Sequence, residues 1–224
     1  MQKLFWLLIG GLILLMPACI TIEENYTFKR NGSGDAQYII DMSEMGSLIK
    51  MAQEEEGGGS LEEEMDLGAL TSKLENLPGI KDVSEYKTDK EYVFGVSFSF
   101  DDISSLNIAL NALMAPEDGQ QVGEPLHEYF KMDGKKTIIR DHKMLEAFNP
   151  ADMLGEEGDG EQMMMFMESM KYKVNMTFKK PIMAVYTEAD AELMGKKNKQ
   201  VGVEASFRKL MDNQDALDMT VVMK

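Results

Sequence analysis

Acid–base catalysis near neutral pH calls for a group that titrates there, and histidine is the usual choice. The chain has 224 residues and two histidines, His127 and His142. His127 is followed by Glu128 and Tyr129, and His142 is preceded by Asp141. Both fall on strands or at loop ends, where a histidine beside an acid reads first as a surface pair. Serine is plentiful, but no Gly-x-Ser-x-Gly elbow occurs to expose one as a nucleophile. Gly57-Gly58-Gly59 lacks the following Lys-Ser/Thr that would cradle a phosphate. Cys19 is the single cysteine, so an intrachain disulfide, a zinc ribbon and an iron–sulfur cluster are all excluded.

Soft-metal chemistry has one candidate. Met163, Met164, Met165, Met167 and Met170 lie within eight positions, and on a helix Met163, Met167 and Met170 share a face. Closely spaced thioethers suit Cu(I). Methionine also fills irregular core space, and the chain's 21 methionines are scattered along its whole length, which favours packing. The runs Glu54–Glu56 and Glu62–Glu64 lack the alternating ligand spacing of a calcium loop and read as solvated faces, as do Glu156, Glu157, Asp159 and Glu161. No catalytic residue, metal ligand or cofactor is assigned.

The charge balance narrows the partners. Twenty-three Lys and Arg face 39 Asp and Glu, a formal charge of −16. Such a chain is repelled by nucleic acid. By the same reasoning it is not expected to dock on anionic lipid through a basic face.

The clearest signal lies at the start. Lys3 precedes an uncharged apolar run from Leu4 to Leu15, followed by Ala18 and Cys19. The run is shorter than the roughly 20 residues a spanning helix needs and matches the apolar core of a secretory signal. The order positive, apolar, small, cysteine resembles the signal of bacterial lipoproteins. The resemblance implies cleavage between Ala18 and Cys19, acylation of the Cys19 thiol, and anchoring to a membrane. Met16 stands where that family usually has leucine, and Pro17 follows it. Ile20 after the cysteine, with no aspartate there, implies the outer membrane by analogy with two-membrane bacteria. Glu23 and Glu24 are similar to acidic surface-export tags, or form a solvated tether. Cleavage removes Lys3 and no acid, which takes the formal charge to −17. The expected organisation is a signal peptide at 1–18, a lipidated N-terminus and tether at 19–25, and one domain at 26–224 with flexible acidic loops near 54–60 and 152–160.

Within the domain, Ile22–Arg30 and Ala36–Met42 alternate and flank Asn31-Gly32-Ser33-Gly34, which predicts a hairpin. Ser43 is expected to cap a helix over Glu44–Gln53, and Leu61–Leu77 to form a second helix stopped by Pro78-Gly79. Ile80–Thr88 with Glu91–Phe100 reads as another hairpin, Asp101–Leu113 as a helix, and Leu126–Met132 with Lys136–His142 as a third hairpin around Asp133-Gly134. A short helix at Gln162–Met170 precedes a strand at Lys171–Lys180, which Ile182–Tyr186 is expected to continue past Pro181, and strands at Gln200–Phe207 and Leu217–Lys224. The fold class is α+β: an antiparallel sheet built from hairpins with amphipathic helices packed on one face, partly ferredoxin-like over residues 36–142.

Cys19, the aromatic strand with Tyr26 and Phe28, the turn Asn31-Gly32-Ser33-Gly34 and the return strand with Ile39 and Ile40 are similar to the LppM-type lipoprotein domain. Val174–Pro181, Gln200–Phe207 and the final strand resemble its C-terminal part. Asn31 replaces the more usual aspartate. The resemblance implies an α+β envelope lipoprotein with no established enzymatic activity. The functional expectation is a membrane-anchored, non-enzymatic protein that binds a partner protein or an apolar ligand. The alternative is an exported hydrolase or metal-dependent enzyme using scattered carboxylates with His127 or His142.

Overall fold

The computed structural model describes residues 20–47, 49–51, 67–114, 127–142 and 160–224. The expected signal peptide at 1–18, Cys19 and the acidic stretches 54–60 and 152–159 lie outside these residues. Among the described residues eleven strands form two sheets. The large sheet contains β1 (Thr21–Phe28), β2 (Gly34–Asp41), β3 (Ile80–Glu85), β4 (Val93–Phe100), β7 (Lys171–Phe178), β9 (Ala191–Met194) and β10 (Gln200–Ser206). Its order is β3-β4-β2-β1-β7-β10-β9. The small sheet, in the order β5-β6-β11-β8, contains β5 (Phe130–Asp133), β6 (Thr137–Arg140), β8 (Ile182–Thr187) and β11 (Met219–Met223). Four α-helices accompany them: α1 (Leu67–Glu75), α2 (Ile103–Met114), α3 (Gly160–Ser169) and α4 (Phe207–Asp212). The fold is α+β, as the hairpin signals predict.

Period-two alternation sets one face of the large sheet. Ile22, Tyr26 and Phe28 of β1 are buried together with Tyr172, Val174, Met176 and Phe178 of β7. Phe94, Val96, Phe98 and Phe100 of β4 continue the same face through their pairing with β2. The small sheet closes over it. Phe130 of β5 meets Tyr26 at 4.7 Å and Phe28 at 5.5 Å between ring centroids. The opposite face of the large sheet is polar, with Glu23, Asn25, Thr27, Ser97, Ser99, Asn175 and Thr177 on it.

Most of the expected hairpins form in register. Local rules explain the helix ends. Asp102 accepts hydrogen bonds from the Ser105 amide and hydroxyl and starts α2. Past α1, Gly79 adopts φ +76°, and a Cβ there would lie 2.1 Å from the Ser105 hydroxyl oxygen, so only glycine fits. The expected cap at Ser43 does not form. Ser43 instead donates its amide and hydroxyl to Asp41 and opens a 3₁₀ turn over Ser43–Met45.

Three features depart from the sequence reading. The order strand–helix–strand–strand–helix–strand is present from β2 to β5, and β3-β4-β2 pair antiparallel as a ferredoxin-like sheet would, but the last strand, β5, belongs to the small sheet. The run after Pro181 does not prolong β7; it crosses to the small sheet as β8. Finally, residues 21–25 are not a tether. They form the first half of β1, which lies between β2 and a parallel partner, β7, with Ile20, Ile22 and Glu24 buried. The alternation that marks Tyr26 and Phe28 as inward residues extends back through Ile22, and a strand with two neighbours gains backbone hydrogen bonds on both edges that a tether would forgo.

Phe28 is 2% exposed and contacts the rings of Tyr26, Phe100, Phe130 and Phe178. Phe28→Ala is expected to cost about 3–5 kcal/mol in urea unfolding. Met183→Ala, at a side chain 68% exposed, should change stability by less than about 0.5 kcal/mol.

Candidate functional site

The inward phase of β1 carries one residue unlike its neighbours. Between Ile22 and Tyr26 stands Glu24, 2% exposed. The inward phase of β6 likewise carries Arg140, also 2% exposed, two positions beyond Ile138. The facing sheets bring them together: Arg140 Nη2 donates to Glu24 Oε2 at 2.7 Å. The Tyr26 hydroxyl donates to the same carboxylate oxygen at 2.9 Å, and the Tyr172 hydroxyl of β7 donates to Glu24 Oε1. The carboxylate therefore accepts three hydrogen bonds, from both sheets.

Arg140 extends the network along the small sheet. Nη1 donates to the Leu217 carbonyl at 3.2 Å, and Nη2 lies 3.2 Å from His142 Nδ1. An arginine nitrogen can only donate, so Nδ1 accepts and the histidine proton resides on Nε2. The His142 amide donates to Asp218 at 2.7 Å, and the imidazole packs edge-on against the Tyr172 ring at 4.9 Å. Arg140 Nε and His142 Nε2 have no hydrogen-bond partner among the described residues.

The protonation states follow from burial and charge. Burial alone pushes the Glu24 carboxyl up, but the Arg140 guanidinium and the Tyr172 hydroxyl outweigh it and hold the group below the usual carboxylate range. Burial opposes the charge on Arg140, and Glu24 more than compensates, so its pKa is raised. The Tyr26 and Tyr172 hydroxyls are pushed well up by burial and by Glu24. Burial, then the neighbouring Arg140, pushes His142 down to about 3. At neutral pH the cluster is one anion, one cation and a neutral imidazole. Asp218 at its edge is raised by burial, with Asp141 and Asp215 adding to the effect.

This arrangement can clamp two sheets together, but it leaves its carboxylate little freedom for acid–base work. Taking both charges out of water is costly, and the net gain over an apolar filling is small. Leaving one charge without its partner is the larger penalty. The pair thus enforces which face of β6 meets which face of β1.

The other candidate residues are placed as follows. His127 stays near the surface, 3.6 Å from the Asp141 carboxylate and packed edge-on to Tyr129. His142 is not the surface partner of Asp141 that its sequence neighbour suggests. It follows the inward Arg140 by two positions and so shares its phase. Met167 and Met170 are core residues, whereas Met164 and Met165 are exposed. Among the described residues no group of three or more His, Cys, Asp and Glu is placed to hold a metal. One surface hollow, about 910 Å³, is lined by the start of α1 and by residues between 85 and 94 and includes none of the buried charges. A second, about 540 Å³, lies over the ends of β6, β8 and β11 and is lined by Asp141, Glu188, Asp215 and Asp218.

Removing one partner of the pair is expected to cost about 3–5 kcal/mol, so Glu24→Gln should lower the urea midpoint sharply, while Glu24→Gln with Arg140→Met should recover much of the loss. His142 supplies a pH test. Its pKa is about 3 folded against 6.5 unfolded. Between those values the unfolded chain binds the extra proton, so this contribution to stability is complete above pH 6.5 and is lost as pH falls toward 3, at about 1.4 kcal/mol per unit. His142→Gln should remove that part of the slope in urea unfolding measured from pH 7 to pH 4.

No protein-family model matches the chain, and no curated protein matches it. Among solved structures, it is similar to the NMR structure of the folded domain of Mycobacterium tuberculosis LppM, with a TM-score of 0.40 and 11% sequence identity over 94% of this chain and 92% of that one.

Proposed function

We propose that the protein is an envelope lipoprotein, acylated at Cys19 after cleavage behind Ala18, whose body binds a partner protein or an apolar ligand without catalysing a reaction. The observation that carries this reading is the entry of the chain into the fold. Ile20 is buried, and β1 begins at Thr21. An acyl-cysteine at position 19 holds the body against its membrane with almost no slack, and two or three acyl chains anchor it stably where one would not. The outer membrane is the proposed address, on the strength of Ile20 after the cysteine.

The non-enzymatic reading is supported by what the buried polar groups are already doing. Glu24 is held by three donors, and His142 is neutral and buried. The binding reading is supported by methionine at the surface. Met164 and Met165 of α3 and Met211 of α4 are exposed, on two helices that pack against each other. Thioether side chains adapt to apolar partners of varied shape.

Growth with an alkyne analogue of palmitate tests the anchor. The native protein should be labelled and sediment with membranes, and Cys19→Ala should be unlabelled and soluble. Labelling retained in Cys19→Ala would reject the anchor. Native mass spectrometry of the purified protein tests the binding role; a bound lipid or peptide is the expected finding.

A further inference from the structure

The formal charge of −16 conceals a strong segregation. The turns after β1, β5, β7 and β9 and the C-terminus all lie at one end of the molecule. Phe28, the last residue of β1, is in register with Phe178, the last of β7. The Phe178 amide donates to the Lys199 carbonyl, Met223 to that of Lys136, and Lys224 to that of Pro181. These segments carry Lys29, Arg30, Lys135, Lys136, Lys179, Lys180, Lys196, Lys197, Lys199 and Lys224, ten of the chain's 23 basic residues. Eight of the ten are exposed. Of the ten, only Lys29 has an ion-pair partner among the described residues, Asp35 at 3.6 Å. Lys81, at the same end, is paired with Asp101; Lys50, Lys90, Lys171, Lys173 and Arg208, away from this end, are also paired. The opposite end, where β1 starts, carries Asp141, Glu188, Asp215 and Asp218.

We infer that the basic end is a docking surface for an anionic phospholipid bilayer, on the side of the body away from Ile20. The charges sit on separate turns around a blunt end. The cavity among Lys29, Lys135, Lys179 and Lys180 is only about 20 Å³. That is little more than one water needs, so the partner is met as a surface and not as a small molecule in a pocket. The turns contain Lys, Arg, Asn, Gly, Ser and Pro and no aromatic residue on which bases could stack. A cluster of lysines facing a plane of headgroup phosphates fits instead, and each adds attraction near the surface. Eight residues of β1 at about 3.3 Å each separate this end from Ile20 by roughly 26 Å. The acidic end is then more than two Debye lengths from the docked bilayer at 0.1 M salt, so the net charge does not oppose docking. The orientation toward a second membrane rests on the proposed acylation; the lipid affinity of the basic end does not.

The lone thiol gives a test that separates the two. The full unacylated chain, biotinylated at Cys19 with a maleimide and captured on a streptavidin sensor, presents the basic end to solution. Vesicles with 30% phosphatidylglycerol should bind at 50 mM salt, and binding should fall steeply at 300 mM. Pure phosphatidylcholine vesicles should bind far less. Lys135→Gln/Lys179→Gln/Lys180→Gln should weaken phosphatidylglycerol binding about 100-fold, at about five-fold per charge, with an unchanged urea midpoint. Lys50→Gln/Lys90→Gln/Lys173→Gln, at positions remote from this end, should leave binding unchanged. Equal binding to both vesicle types, full binding by the first triple variant, or no binding to phosphatidylglycerol would overturn the inference, and so would a preference for a DNA duplex over vesicles in the same format.

Discussion

One carboxylate–guanidinium contact ties the two sheets to each other. Glu24 lies on the central strand of the large sheet and Arg140 on an inner strand of the small one. Apolar faces slide and repack with modest penalties, but a charge at 2–3% side-chain exposure tolerates one position for its counterion. The tyrosines complete the constraint. Tyr26 and Tyr172 come from adjacent strands and fix the carboxylate from within its own sheet, so Arg140 meets a preset target. His142 then takes its state from Arg140. A protonated imidazole would stand beside a guanidinium in a dry environment, and the ring stays neutral.

The same constraint bears on function. A glutamate, an arginine, a histidine and two tyrosines within hydrogen-bond reach would look catalytic if they were found in a cleft. Here they are buried between two sheets, and the carboxylate already accepts three hydrogen bonds. The surface is where charge remains free, and there its distribution matters more than its sum. Long-range charge is screened over about 10 Å at 0.1 M salt. Two ends of one molecule separated by more than that behave toward a large partner as independent objects.

Alternation made much of the fold legible. The hairpins around Asn31-Gly32, Asp133-Gly134 and the loop before β4 follow from strand phase and turn chemistry, as does the helix beginning after Asp102. The parallel pairing of β1 with β7 was not legible, because no local signal specifies a partner that far along the chain. The short strand β9 was hidden by its composition, Ala-Glu-Leu-Met, which carries no β-branched or aromatic residue. The small sheet went unseen for a related reason. Its strands are four to six residues long, and the pattern that marks them does not say which sheet they join. Glu24 could have been found. The inward phase defined by Tyr26 and Phe28 passes through it, and a charge on that phase demands a buried counterion. Treating residues 19–25 as a tether hid the clue. Net charge is legible from the sequence, but a total carries no position, and the grouping of basic residues at one end follows from the strand pairing.

The pairing of β1 with β7 also orders events in time. Thr21 lies beside Lys171 and Phe28 beside Phe178, so every contact of this ladder spans 150 positions. Closing such a loop costs about 4 kcal/mol of chain entropy before any contact rewards it. A chain that emerges N-terminus first can zip β1 to β2 and then to β4 early, but the remaining edge of β1 stays bare until nearly four-fifths of the polypeptide has appeared. During that interval a strand edge is open to any other chain nearby. The buried glutamate on that strand discourages misassembly, because a neighbour lacking an arginine at the right height cannot cover it.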